Sequence, residues 1–349
     1  MLILLYPYLK KKGLRITAIT RCGGKSIAAT HGISVYKGKR AYSGYRSILN
    51  FVRQKRPDCI ITGTSLYDNL ERNYIKAAKD LGIPSLSFVD WWTSYRRRFT
   101  HSKTGKLCIP DRIAVVDDNA KGLCRKELGG KGKIVIAGNP YFSHVARRAA
   151  KKTFDRKKTL KRLGLSADLS TILYLADPVK TPGGFNPFDI FRQVAREAFK
   201  AAAREMNFII RMHPRADVSY IRNRYMSIAK KELTERFNIR LIGGDYTIGE
   251  LIDCADYVWG TNTTPLLEAM MRGRVVTSFL DRACPDYLPF AKSASYCPSA
   301  EDYKEYPSLI RNLLTNKKFV KNALARQMKY RIPVDILGKK VCEIVAEGA

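Results

Sequence analysis

The sequence has no long apolar run. Nowhere does it approach the roughly 20 consecutive apolar residues that a membrane-spanning helix requires. The apolar segment Met1–Leu5 is too short for the central region of a signal peptide, and no clear cleavage site follows it. We therefore expect a cytoplasmic protein, with peripheral contact at the inner face of a membrane as the open alternative.

Metal-binding and disulfide patterns are also missing. The eight cysteines are irregularly spaced and include no C-x-x-C pair, so neither a zinc site nor a disulfide framework is expected. No Asp-x-Asp motif stands at the end of a predicted strand, where a metal bound to a nucleotide would need it. We expect a protein without a metal or other cofactor.

Acidic residues are scarce. The chain has 31 Asp and Glu against 63 Lys and Arg, which gives a formal net charge of +32. Such an excess favours an anionic partner: nucleic acid, an anionic membrane surface, or a phosphorylated or acidic substrate. No aromatic-rich RNA motif accompanies the charge, so nucleic acid is the least favoured. An ordinary solvated basic surface explains the same charge without any ligand. The local basic runs are Lys10–Lys12, Arg96–Arg98, Arg147–Arg162 and Lys317–Arg331.

A complete glycine-rich phosphate loop is absent too. Gly23–Ser26 resembles the tail of a Walker motif, but Ile19 stands where the first glycine should be. The segment Gly63-Thr64-Ser65 follows a predicted strand but lacks the lysine and the spacing of a P-loop. These departures exclude a P-loop enzyme and leave Gly63, Thr64 and Ser65 as candidate cleft residues.

Short apolar runs alternate with amphipathic stretches along the chain. This alternation predicts α/β structure with parallel, helix-covered sheets, and we expect two Rossmann-like domains. The predicted strands are Leu2–Tyr6, Leu14–Thr20, Asp58–Thr62, Ser85–Val89, Arg112–Val116 and Lys133–Ala137, then Thr171–Ala176, Asn207–Arg211, Ile239–Ile242, Tyr257–Trp259 and Arg274–Phe279.

Two strands of the second half end in polar clusters. Asn207–Arg211 runs into Met212-His213-Pro214, and Tyr257–Trp259 runs into Gly260–Thr264. Ligands of an open α/β sheet bind outside the carboxyl ends of its strands, which is where both clusters fall. Thr263 or Thr264 can cap the helix that follows, and its N-terminus suits a phosphate. A threonine-rich cap by itself is more often only a cap.

These motifs resemble the C-terminal domain of GT-B glycosyltransferases. His213-Pro214, followed by Gly-Thr-x-Thr-Thr and by Leu266–Met270, is similar to the branch with a His-Pro motif and a Ser/Thr-rich motif. That branch includes bacterial polysialyltransferases, capsule Kdo transferases and teichoic acid glycerophosphotransferases; UDP-N-acetylglucosamine 2-epimerases share the layout. The resemblance covers the second half well and the first half in outline. Threonine stands here where several relatives carry Ser-Ser.

The resemblance implies a GT-B fold with an interdomain cleft. Residues 1–145 would form a Rossmann-like acceptor domain and 146–170 a basic linker. Residues 171–330 would bind the donor nucleotide, and a helix within 331–349 would cross back to the first domain. The implied donor-binding residues are Arg211, His213, Pro214, Gly260, Thr261, Thr263, Thr264 and Glu268, of which Glu268 could instead pair with Arg272.

The acceptor side must supply a general base. Asp90 is the first choice because it follows the predicted strand Ser85–Val89, and Glu71 and Asp68 are the reserves. His213 is a further candidate for a catalytic role. The mixture of aromatic and arginine side chains after Asp90 suits a sugar ring or an acidic ligand, although a packed corner explains it as well. The candidate residues there are Trp91, Trp92 and Arg98.

The function that follows is metal-independent glycosyl transfer. A sugar or polyol phosphate would move from a CMP-, CDP- or UDP-linked donor to a glycan, a lipid-linked molecule or another cell-surface acceptor. One alternative is a nucleotide-sugar epimerase or hydrolase on the same fold. A nucleic-acid-binding protein is the remaining alternative, and it requires salt-steep binding to generic RNA or DNA.

Overall fold

The computed structural model describes residues 2–21, 24–66, 68–150, 154–177, 185–213, 218–233, 235–261, 263–281 and 296–329. They form two compact units that divide between Arg147 and Arg148. Each unit contains one parallel sheet with helices between its strands, so the prediction of two Rossmann-like domains is confirmed. None of the helices in these residues is long and apolar enough to cross a membrane.

The first unit starts with helices rather than with a strand. A 3-10 helix, Leu2–Leu5, leads directly into α1 (Tyr6–Lys11). The prediction of a strand at Leu2–Tyr6 is therefore wrong. Pro7 lies in the first turn of α1, where proline favours the start of a helix, and a short apolar run alone cannot distinguish a strand from a helix.

The predicted strand Leu14–Thr20 is wrong as well. In the described part of the chain this segment makes only an isolated parallel bridge between Ala18 and Val35. None of its side chains is fully buried: Ile16 and Ile19 are only partly buried against the core, which is less burial than a strand inside a parallel sheet has. The chain continues into α2 (Gly24–Thr30).

The remaining predicted strands of the first half are confirmed, with small shifts at their ends. They form a sheet of four parallel strands in the order β1 (Ile60–Thr62), β2 (Ser85–Phe88), β3 (Arg112–Val115) and β4 (Lys133–Ile136). The helices of this half are α3 (Tyr45–Lys55), α4 (Leu70–Asp80), α5 (Tyr95–Phe99), α6 (Asp118–Glu127) and α7 (Pro140–Ala150).

The second unit contains a sheet of six parallel strands whose order reverses in the middle. Its order is β10-β9-β8-β5-β6-β7, so β5 lies between β8 and β6. Read from the β7 edge, the chain order is 3-2-1-4-5-6, the order of a dinucleotide-binding sheet. The strands are β5 (Thr171–Leu175), β6 (Met206–Arg211), β7 (Phe237–Ile242), β8 (Tyr257–Gly260), β9 (Val275–Phe279) and β10 (Ser299–Ala300).

Helices cover this second sheet. In chain order they are α8 (Arg156–Arg162), α9 (Pro187–Ala201), α10 (Ser219–Glu232), α11 (Ile248–Cys254), α12 (Thr264–Met271), α13 (Tyr306–Thr315) and α14 (Lys317–Gln327). Of these, α8 lies within the segment predicted as a basic linker. The predicted crossing helix within 331–349 lies outside the described residues.

Aromatic side chains fill the core under one face of the second sheet. Tyr174 of β5, Phe208 of β6 and Trp259 of β8 are fully buried, and the ring centroids of Phe208 and Trp259 lie 6.4 Å apart. Phe279 of β9 continues the row, 5.6 Å from Trp259. Four adjacent strands thus share one core, which holds their carboxyl ends at a common edge.

A single arginine ties together the opposite, amino-terminal edge. Arg156 of α8 donates hydrogen bonds to the carbonyl oxygens of Ala167 at 2.8 Å and Cys254 at 3.1 Å. It also pairs with the Asp256 carboxylate at 3.0 Å. These contacts join the segments that lead into β5 and β8 at the amino-terminal edge of the sheet.

The buried contacts of Asp117 yield a stability prediction. Its carboxylate caps α6 by accepting from the Ala120 N–H at 2.8 Å, and it accepts the Trp92 indole N–H at 2.9 Å. We expect Asp117→Ala to lose the cap and to leave a buried indole N–H unpaired, a cost of roughly 2 to 3 kcal/mol in urea unfolding. The exposed neighbour Asp118 is the matched control, and equal effects of Asp118→Ala and Asp117→Ala would contradict this account.

Candidate functional site

The strand-order reversal of the second sheet defines the candidate donor site. Leu175 ends β5 and Gly260 ends β8, and the two strands pair side by side with Tyr174 opposite Trp259. At such a reversal the following helices leave on opposite faces of the sheet, which opens a crevice at the carboxyl edge. Here α9 packs against α10 and α13, whereas α12 packs against α11.

A short hydrogen bond links the chain on the two sides of this reversal. The Thr261 hydroxyl donates to the Asp177 carboxylate, with 2.5 Å between Oγ1 and Oδ2. Both residues are buried, Thr261 with 1% and Asp177 with 8% of their surface exposed. Burial raises the pKa of Asp177 to about 7, and the hydrogen bond from Thr261 lowers it in part. A carboxyl group that changes charge near neutral pH therefore lies directly under the candidate site.

Asp177 was missed as a site residue by the sequence reasoning. Its signal was present, because an Asp-Pro pair closes a buried strand at the carboxyl edge. The helix-capping pattern favoured the threonines instead. The strand order that brings Asp177 to Thr261 was not predicted.

Gly260 allows the two strand ends to approach closely. A Cβ atom on Gly260 would lie 3.2 Å from the Leu175 Cβ and 3.5 Å from the Leu175 carbonyl oxygen. The Ser278 hydroxyl donates to the Thr261 carbonyl oxygen at 2.8 Å from the β9 side. The Gly260–Thr261 turn is thus fixed from both neighbouring strands.

The N-terminus of α12 follows this turn. Thr263 occupies the N-cap position with extended backbone angles, φ −139° and ψ 146°, but its side chain makes no capping hydrogen bond. Thr264 is the first helical residue and Pro265 the second, and the first turn contains no acidic residue. Backbone N–H groups at a helix N-terminus and the positive end of its dipole suit a phosphate. The Thr263 hydroxyl is not used by the cap.

His213 and Arg211 stand beside the reversal on the next strand. Arg211 ends β6, and its carbonyl oxygen accepts from the Ala176 N–H at 2.9 Å. The Met212 N–H donates to the Ile242 carbonyl oxygen, also at 2.9 Å, which extends the hydrogen-bond ladder to the residue before His213. His213 follows this ladder directly, at the carboxyl edge next to the end of β5, and it is partly buried. Pro214 lies outside the described residues.

Glu268 forms an ion pair inside the protein. It is 3% exposed, and its Oε1 accepts from Arg272 at 3.0 Å, one helical turn further along α12. Arg272 also contacts the Asp253 carboxylate at 2.6 Å. Of the two roles open to Glu268, this geometry favours the ion pair over contact with a ribose.

Arg98 organises the candidate acceptor site in the first unit. Its guanidinium donates to the Thr64 hydroxyl at 2.9 Å, to the Thr93 carbonyl at 3.1 Å and to the Asp90 carboxylate at 3.4 Å. The arginine side chain is 9% exposed, whereas that of Asp90 is 48% exposed. The contacts join the Gly63–Ser65 segment to Asp90 and leave the Asp90 carboxylate accessible.

Glu71 lies in the first turn of α4, near the same segment. Its Oε2 is buried without a hydrogen-bond partner among the described residues. Burial raises the pKa of Glu71, and the nearby Asp68 raises it further. The neighbouring Arg72 is buried and donates to the carbonyl oxygens of Ser65 and Arg97, each at 2.8 Å. These bonds hold the loop after β1 against the arginine-rich helix α5.

The two tryptophans differ in their surroundings. Trp92 is 1% exposed and donates its indole N–H to Asp117, so it cannot present a ring face to a ligand. This corrects the prediction that Trp92 lines the acceptor site. Its enclosure comes from α6, whose position next to this loop the sequence did not reveal. Trp91 is only partly buried and packs edge-to-face against Trp92 with centroids 5.2 Å apart.

Among the described residues no group of histidine, cysteine, aspartate and glutamate side chains is arranged to hold a metal ion. The two polar clusters predicted in the second unit lie at the same, carboxyl edge of the sheet, after β6 and after β8, the two strands that flank β5. Of the predicted acceptor residues in the first unit, Arg98 contacts both Thr64 and Asp90.

No protein-family model matches the sequence, and no curated protein matches it significantly. Solved structures do match the fold over nearly the whole chain. One is the UDP-GlcNAc 2-epimerase of Neisseria meningitidis bound to UDP-GlcNAc, with 13% identity, a TM-score of 0.69, and 99% of this chain and 96% of that chain covered. A glycosyltransferase of Rickettsia africae shows 14% identity and a TM-score of 0.66, covering 99% and 93%.

A third match is HepE of Anabaena in complex with UDP and glucose, with 12% identity, a TM-score of 0.65, and 99% and 94% covered. Similarity at these identities is similarity of fold. The matches confirm the predicted GT-B architecture of two Rossmann-like domains. They do not distinguish the His-Pro branch from its neighbours.

The Glu268 ion pair gives a second prediction. We expect Glu268→Gln to lower the unfolding free energy by roughly 1 to 3 kcal/mol, because it weakens the pairing of a buried arginine. Nucleotide affinity, measured by calorimetry, should stay within about twofold of wild type. A large loss of affinity at unchanged stability would instead assign Glu268 to the ribose.

Proposed function

We propose that this protein is a metal-independent glycosyltransferase that uses a nucleotide-activated donor. One observation carries the proposal: the α12 N-terminus, whose N-cap residue Thr263 makes no capping hydrogen bond with its side chain, follows β8 at the strand-order reversal of a dinucleotide-type sheet. A phosphate is the ligand that such a helix end suits. Several proteins of similar fold were solved with UDP or a UDP-sugar, which supports this donor class.

The donor-side residues would act on the leaving phosphate. The backbone N–H groups of α12, together with Thr263 and Thr264, would bind its oxygens. His213 and Arg211, at the end of β6, would add hydrogen bonds or positive charge. Fixed donors of this kind stabilise the charge that develops as the bond to the sugar breaks, and they need no metal.

On the acceptor side, Asp90 is the proposed general base. Its carboxylate is half exposed at the end of β2 and is oriented by Arg98 at 3.4 Å. A base must be ionised and within hydrogen-bond reach of the acceptor hydroxyl. Trp91 and Thr64 flank Asp90 as residues for the acceptor.

The proposed acceptor is a glycan or a lipid-linked molecule at a membrane surface. The exposed side chains of α14 support a peripheral position, since the helix carries Lys317, Lys318 and Lys321 and no acidic residue. Each basic residue near an anionic bilayer contributes about 1 kcal/mol of attraction. The same charge would also attract nucleic acid, but the candidate phosphate site favours a small nucleotide.

A nucleotide-sugar epimerase or hydrolase is the second candidate. Glu71 favours it, because a buried carboxyl with a raised pKa can act as an acid as well as a base. A UDP-GlcNAc 2-epimerase is also among the proteins of similar fold. Incubating a nucleotide sugar without acceptor separates the candidates, since only an epimerase or hydrolase would release an epimer or free sugar.

The nucleotide-binding prediction tests the proposal directly. In a thermal-shift screen with CMP, CDP, UDP and GDP, we expect at least one nucleotide to raise the melting temperature, because binding stabilises the folded state. For that nucleotide, Thr263→Ala and Thr264→Ala should each lower affinity about tenfold, which corresponds to ~1.4 kcal/mol. His213→Ala should reduce transfer by roughly 100-fold or more with the fold intact.

Thr315→Ala provides the matched control, since Thr315 is exposed at the far end of α13. Its affinity should equal that of wild type. If the Thr263 and Thr264 variants lose stability but keep their nucleotide affinity, the threonines are structural. An absence of any nucleotide-dependent shift in the wild-type protein would refute the proposed function.

The base assignment is tested by two carboxylate variants. We expect Asp90→Asn to lower kcat by roughly 100-fold or more with little change in the donor KM, because the acceptor proton loses its base. Glu71→Gln, measured beside it, should have the smaller effect. A lower melting temperature and weaker acceptor binding in Asp90→Asn, with turnover preserved at saturation, would mean that Asp90 only holds Arg98 in place.

A further inference from the structure

Asp177 is a buried ionisable group at the candidate donor site that has no role in the proposed transfer. It follows β5 directly, at the strand-order reversal, and its carboxylate accepts the Thr261 hydroxyl at 2.5 Å. Thr261 in turn begins the turn that leads into α12. The carboxyl group is therefore connected by one hydrogen bond to the segment that would bind the phosphate.

Among the described residues, the groups that hydrogen-bond to Asp177 through their side chains are hydroxyls. Thr261 contributes one from the β8 side, and the Tyr225 hydroxyl of α10 donates to the Asp177 carbonyl oxygen at 3.5 Å. Tyr174 of β5 is also close, since the Asp177 charge is one of the causes that raise its pKa. Two basic side chains, Arg211 and His213, lie at the end of the neighbouring strand β6.

In this environment a negative charge on Asp177 disfavours the binding of a phosphate. In a buried setting, opposite charges attract and like charges repel far more strongly than in water. An ionised Asp177 would oppose the positive end of the α12 dipole, which is the feature that attracts the donor. A neutral Asp177 removes this opposition and can still bond to Thr261.

We propose that Asp177 is a positioning residue whose protonation controls donor binding: it is neutral when the nucleotide diphosphate is bound and ionised in the free protein at higher pH. The inference rests on the proposed function, because it requires a phosphate at the α12 N-terminus. Thr261 is 1% exposed, so the carboxyl acts through its charge and through the turn rather than by direct contact with the donor.

The proposal fixes the direction of the pH dependence. The pKa of Asp177 in the free protein is about 7, raised by burial above the usual range of an aspartate. Below this pH the carboxyl is already protonated, and donor affinity should be constant. Above it, binding must take up a proton, and affinity should fall about tenfold for each further pH unit.

The test is calorimetric titration of UDP-N-acetylglucosamine at several pH values. Its diphosphate diester does not titrate in this range, so the probe itself adds no pH dependence. If the nucleotide screen selects a base other than uracil, the nucleoside diphosphate sugar of that base replaces UDP-N-acetylglucosamine as the probe. For wild type we expect constant affinity below pH about 7 and a decline above it, with uptake of close to one proton per molecule bound at high pH.

Two variants separate a protonation effect from a merely structural one. Asp177→Asn is neutral at every pH and keeps an acceptor for Thr261, so the decline that Asp177 causes above pH about 7 should be absent and its affinity should match that of wild type at low pH. Thr261→Val removes the hydrogen bond that lowers the pKa of Asp177. The decline should therefore begin at a higher pH in this variant, a shift that a loss of packing would not produce.

Asp168→Asn is the control, because Asp168 is an exposed carboxylate near the opposite end of β5. It should retain the wild-type pH profile. A pH-independent wild-type affinity, or an unchanged decline in Asp177→Asn, overturns the inference while leaving the proposed function intact. If the wild-type protein binds no nucleotide sugar at any pH, the proposed function is wrong and the inference fails with it.

Discussion

The reversal of strand order between β5 and β8 is the constraint on which the candidate donor site depends. It brings Asp177 and Thr261, which are 84 positions apart in the chain, within 2.5 Å of each other. It also places the α12 N-terminus beside the end of β5. Gly260 is part of the same arrangement, because any larger residue would press on Leu175. The site is thus a product of topology and close backbone approach more than of any single reactive side chain.

Much of the architecture could be predicted from the sequence, because buried parallel strands give apolar runs at regular intervals. The failures at Leu2–Tyr6 and Leu14–Thr20 have different physical causes. The first run is apolar but forms a 3-10 helix that leads into α1, with Pro7 in the first turn of α1, and the second has no fully buried side chain to hold it in a sheet. Local composition could not distinguish these cases, since burial is decided by distant segments.

The candidate site was predictable where its signal is local. The threonines before α12 and the histidine after β6 follow from capping and strand-end rules, and the structure brings them to one sheet edge. Two features depended on tertiary contacts instead. Trp92 is enclosed by α6, and Asp177 becomes titratable near neutral pH only because burial removes its solvent. Their roles could not be obtained from sequence spacing.

The Arg156 contacts determine where a fragment of the second unit can begin. The guanidinium reaches Ala167 and Cys254, so it joins the chain before β5 to the chain before β8. A fragment that began at Thr171, the start of β5, would lack the Arg156 contacts and would leave the Asp256 carboxylate without its arginine partner. A fragment of this half that keeps these contacts therefore has to include α8, which lies within the segment predicted from the sequence as a linker.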